Sequence, residues 1–173
     1  MLKGIIIFFV IIGGIMFLTG ATTEVIVVPR STSIEYVPSS IQLIAGTSTN
    51  TISDLNILLD GNVYDLTETT GANAIQLDIN FTNIVNFSGI TARAFYDGAT
   101  THAVRIQLFN YNTSNWDVIH TLNDGRDYET HTKSVATSSN YLQNGLVQSR
   151  FLQTENGNTS HNLYIDYFAL RLS

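Results

Sequence analysis

From residue 33 onward, apolar side chains recur at every second position in short runs, and the runs are broken by clusters of Gly, Asn, Asp and Ser. That period marks half-buried strands, because successive side chains on a strand point to opposite faces. In HAVRIQLFNY (102–111), Val104, Ile106 and Leu108 fall on one face, and Arg105 and Gln107 on the other. The pattern predicts strands at 33–37, 41–45, 55–60, 62–68, 74–81, 90–97, 102–111, 116–122, 128–136, 146–154 and 161–172. No helical period interrupts them. Asp60-Gly61, Asp97-Gly98 and Asp124-Gly125 supply turns, since glycine accepts positive φ at no steric cost. Many short strands without crossover helices predict an all-β, antiparallel, jelly-roll-like β-sandwich over residues 25–173. Its last strand sets Ile165, Tyr167 and Ala169 against Tyr164, Phe168 and Leu170. Apolar on both faces, it is predicted to run through the middle of a sheet.

Ahead of the sandwich lies one apolar N-terminal segment, residues 1–24, with no charge from Gly4 to Thr23. Read as an α-helix, residues 4–21 just suffice to cross a bilayer core of roughly 30 Å. A signal peptide fits the pattern as well, with Lys3 as its n-region and Thr19 and Ala21 near the cleavage site. Ile5, Phe8, Phe9, Ile12, Met16 and Phe17 surround such a helix rather than forming one stripe. Burial on all sides follows. We therefore expect a retained element that anchors in a membrane or assembles with copies of itself or with other structural proteins of one particle.

Composition narrows the function classes. The formal net charge of −6 leaves no basic field for nucleic acid. The chain has no cysteine, which removes disulfides, a thiol nucleophile and thiolate metal sites. No HExxH, GxSxG or phosphate loop occurs, and nothing pairs a nucleophile with a base, so an enzyme is not expected.

The segments DGNVYDLTE, FSGITARAFYDG, HAVRIQLFNYNTSNWDVI and HNLYIDYFALRL together resemble jelly-roll modules of phage and virus structural proteins, which are themselves similar to carbohydrate-binding modules. The resemblance spans roughly residues 33–173. It implies a non-catalytic sandwich displayed on a virion surface or virion membrane, or at a cell surface. It also implies that Asp166, inside the closing strand, could hold a structural calcium. The alternative reading of Asp166 is an outward-facing edge residue, or pairing with Arg93, Arg105 or Arg150. One carboxylate cannot supply the six to eight oxygens calcium takes.

Two further groups stand out. Trp116, Tyr111 and Tyr96, with Tyr128 beside them, could form an aromatic platform for surface glycans. The plainer reading of a sandwich's only Trp is packing in or over the core. Asp127, Glu129 and His131 alternate along one strand and could hold a divalent metal, or simply face water. His102, His120 and His161 show no metal spacing and read as surface or strand-end residues. Asn80, Asn86, Asn112 and Asn158 match the glycosylation acceptor pattern. The leading expectation is a structural surface protein of a virion. A glycan-binding module and a filament subunit are the alternatives.

Overall fold

The computed structural model describes residues 15–17, 25–27 and 33–173. The chain divides into two units, Met1–Thr32 and Ser33–Ser173. In the first, β1 (Ile15–Phe17) pairs antiparallel with β2 (Val25–Val27). The helix expected over residues 1–24 lies almost wholly outside the described residues, as do Ile5, Phe8, Phe9 and Ile12. Met16 and Phe17 fall in β1. Among the described residues no helix is long and apolar enough to cross a membrane.

The second unit is a two-sheet antiparallel sandwich of jelly-roll type. Its strands are β3 (Ile34–Tyr36), β4 (Ser40–Ala45), β5 (Tyr64–Thr67), β6 (Ile75–Phe81), β7 (Gly89–Asp97), β8 (Ala103–Asn110), β9 (Asn115–Asn123), β10 (Glu129–Ser134), β11 (Val147–Gln153) and β12 (Asn162–Leu172). One sheet runs β4-β6-β11-β8-β9; the other runs β10-β7-β12, with β3 and β5 sharing the far edge of β12. The closing strand is therefore central, as its two apolar faces require. Ile75, Leu77, Ile79 and Phe81 of β6 and Val104, Ile106 and Leu108 of β8 turn inward against Ile90, Ala92, Ala94, Leu163, Ile165 and Phe168. Phe168 sits edge-on to Phe81 and Phe151 at ring separations of 5.7 and 5.1 Å, which locks the two layers together.

One predicted strand is absent. Residues 52–55 form a 3-10 turn, and the chain after it stays outside both sheets. Leu55 is buried, but Ile57, Leu58 and Leu59 are exposed, and Leu59 takes φ 62°. An apolar run reads as a strand only if an edge receives it; β5 pairs with Asn162–Ile165 of β12 and β3 with Leu170–Leu172, and Leu59 meets β12 through the Asp166 side chain instead of its ladder.

Two register shifts reassign faces. In β12, pairing with β7 slips between Ile165 and Tyr167, leaving Asp166 as the extra residue. Leu163, Ile165, Phe168 and Leu170 consequently share the inner face, where strict alternation would have divided them. In β9, pairing with β8 slips between Ile106 and Gln107: Ile106 faces His120, whereas Gln107 faces Val118. His120 and Leu122 thus turn inward while Val118 and Trp116 turn outward. Of the expected glycine turns, Gly61 has φ 87°. Gly98 is needed for another reason, because a Cβ there would strike the Tyr96 ring.

Candidate functional site

The outer face of the β4-β6-β11-β8-β9 sheet carries rows of polar side chains with aromatic rings at one side. Cross-strand registers align Gln42 with Asp78, Asp78 with Arg150, Arg150 with Gln107, and Gln107 with Val118. A neighbouring row aligns Ser40 with Asn80 and Asn80 with Gln148. Strand alternation produces this layout on β4, β6, β11 and β8, and the register slip in β9 brings Val118 to the same face. Hydrogen bonds hold the groups in place. Arg150 Nε donates to Gln107 Oε1 at 2.6 Å, Asn80 Nδ2 to Ser40 Oγ at 3.3 Å, and Gln76 Nε2 to Asp78 Oδ1 at 3.1 Å.

The aromatic side comes from β8 and β9. Trp116 lies opposite Phe109 in register, and its ring meets that of Phe109 at 5.3 Å; Tyr111 meets Phe109 at 5.1 Å. The Arg150 guanidinium sits 4.2 Å from the centre of the Trp116 ring. Burial lowers the Arg150 pKa, and the charge of Asp78 across the ladder pulls it back up. The Tyr111 hydroxyl donates to Gln148 Oε1 at 3.4 Å, and burial raises its pKa, so it remains a neutral donor and acceptor. Of the three residues expected to form the platform, Trp116 and Tyr111 share this face. Tyr96 does not. It is 0% exposed and its hydroxyl donates to Glu68 Oε1, because the inward side of β7 is a core position. Burial and the adjoining Glu68 carboxylate raise its pKa far above the ordinary range.

On the other sheet, Tyr164 stacks on Phe95 at 4.6 Å, Tyr128 meets Phe95 edge-on at 4.6 Å, and Arg93 lies 4.7 Å over Tyr128. Asp166 is buried beneath this cluster. Its Oδ2 accepts the Leu59 N–H at 3.2 Å and stands 3.5 Å from Arg93 Nε. Pairing with Arg93 was one of the readings left open by the sequence, and a paired, hydrogen-bonded carboxylate is what burial requires.

Where the edge strands β9 and β10 approach, a cleft of about 580 Å³ is lined by His120, Asp124, Arg126, Asp127, Glu129 and His131, among others. Glu129 and His131 share a face, as expected, but Asp127 precedes the strand. His131 and His120 bring their rings to 4.3 Å, whereas Glu129 Oε2 lies 4.0 Å from His131 Nε2. Burial lowers the pKa of both imidazoles, that of His120 to about 4, with His131 and Lys133 adding to the effect. Asp127, Glu129 and His131 do not converge as a ligand set. Among the described residues the group that does is Glu68, His102 and His161. Glu68 went unnoticed in the sequence because nothing local marks it; the three residues meet only through loop closure at one end of the sandwich.

The sequence matches no family model and none of the curated proteins. Solved structures do resemble the fold. A variant of a family 29 carbohydrate-binding module superposes with a TM-score of 0.53 at 12% identity, covering 82% of this chain and 92% of that one. A second variant, in complex with cellulohexaose, gives a TM-score of 0.51 at 13% identity, covering 81% and 90%. A further family 29 module gives 0.51 at 13% identity, covering 82% and 89%. At such identities the likeness is one of fold: this chain carries the two-sheet jelly-roll sandwich that family 29 carbohydrate-binding modules also carry.

Proposed function

We propose that the protein is a non-catalytic glycan-binding module whose ligand lies across the outer face of the β4-β6-β11-β8-β9 sheet. The observation that carries this reading is the in-register set Asp78, Arg150, Gln107, Asn80 and Gln148 beside the rings of Trp116 and Tyr111. Sugars present apolar C–H faces and rims of hydroxyls. An indole takes the first, and fixed carboxylate, amide and guanidinium groups take the second. The fold shared with modules of which one is seen with cellulohexaose supports an extended oligosaccharide as ligand. This reading takes precedence over the virion structural protein expected from sequence. The apolar run at residues 4–21 would hold the module to a membrane or to other subunits, at a cell or virion surface.

Titration calorimetry of the full chain against cello-, manno- and xylohexaose tests the proposal. Binding to at least one is expected, weakened tenfold or more in Trp116→Ala, a loss of about 1.4 kcal/mol or more. Tyr128→Ala on the opposite sheet is expected to leave it unchanged. No binding to any of the three would overturn the reading, and loss in Tyr128→Ala alone would move the site to the other sheet.

A further inference from the structure

We infer that Glu68, His102 and His161 form a site for a divalent transition-metal ion of the zinc class. Glu68 follows the last residue of β5, His102 precedes β8, and His161 precedes β12, so three loops at one end of the sandwich each contribute one group. Their ligand atoms all lie within 4.8 Å of one another. His161 Nδ1 is 3.2 Å from Glu68 Oε2, and His102 Nδ1 is 3.8 Å from Glu68 Oε1. With metal–ligand bonds of roughly 2.0–2.1 Å, the edges of a tetrahedral zinc site are about 3.3 Å. The group needs only small side-chain movements to reach that geometry.

The donor set decides the class of ion. Two imidazole nitrogens and one carboxylate suit zinc and its neighbours, whereas calcium and magnesium take oxygen ligands and more of them. Three protein ligands leave a fourth position open.

The surroundings are arranged as a support for such a site. Glu68 is fixed by the Asn158 N–H at 2.7 Å and by the Tyr96 hydroxyl. Gln153 Nε2 lies 3.2 Å from His102 Nδ1, a hydrogen bond that an ion bound at that nitrogen would displace. Gln153 is itself 0% exposed and its Oε1 has no partner. The Glu68 side chain is also wholly buried, yet among the described residues its only cationic neighbours are two histidines, which carry charge only when protonated. A divalent ion would supply the missing permanent charge. Both imidazoles keep a side-chain exposure near one-sixth, at 16% and 15%, so an ion can enter from solvent.

The test uses the full chain, stripped with chelator and then titrated with zinc chloride at pH 7.5, read by calorimetry and thermal melting. We expect one ion per chain and a rise in Tm. The affinity is expected to fall tenfold or more in His102→Ala and in His161→Gln, and to be kept in His120→Ala. Cobalt is expected to give a visible absorption band that the same two variants lose. Near-UV circular dichroism verifies that each variant is folded. Absence of zinc binding, equal binding in the His102 and His161 variants, or a response to calcium in place of zinc would each overturn the site.

Discussion

Arg150 shows how much a single side chain can organise. It bonds to Gln107 and lies over one face of the Trp116 ring, while Asp78 lies across the ladder. Its planar guanidinium serves stacking and hydrogen bonding at once, which a lysine cannot do. Asp166 plays the corresponding part on the opposite sheet. Buried between the Leu59 amide and Arg93, it is expected to cost roughly 1.5–3 kcal/mol of stability when changed to Ala, as read by urea denaturation. The double variant with Arg93→Ala is expected to lose less than the sum, since the pair acts as a unit. The sequence could mark Asp166 as costly to bury, but three arginines were candidates, and only tertiary contact selects Arg93.

At the scale of the element, β9 and β10 close one side of the sandwich through His120 and His131. Because burial lowers the His120 pKa to about 4, the unfolded chain binds a proton that the folded chain refuses between pH 6.5 and about 4. Stability is therefore fully present above the unfolded value and is lost as the pH falls through that window. The ring is only partly screened from water, so the loss is on the order of 1 kcal/mol. Thermal melts across pH 7 to 4 are expected to show this decline, with a shallower slope in His120→Gln. The inward turn of His120 and the outward turn of Trp116 both follow from the register slip in β9. A pattern of alternation contains no sign of where a residue will be inserted, so the face of Trp116 was not readable beforehand.

At the scale of the molecule, the core formed by the described residues passes through Phe81, Phe151 and Phe168. Phe151→Ala is expected to cost about 3–5 kcal/mol, measured by denaturant unfolding, because both sheets press on that ring. A chain beginning at Ser33 is expected to unfold cooperatively in the same experiment; a non-cooperative transition would show that the first unit is needed for folding.

What the sequence determined by itself was the strands of residues 33–173, apart from the one expected at 55–60, and the two-layer architecture. Alternation, turn glycines and the doubly apolar closing strand are local properties, and burial of one face follows from them directly. Only the tertiary structure decided which residues meet. Bulges chose the face of Trp116 and the inner set of β12, Leu59 met β12 through the Asp166 side chain instead of its ladder, and loop closure gathered Glu68, His102 and His161. Each of these depends on contacts between residues far apart in the chain, and such contacts leave no periodic trace in it.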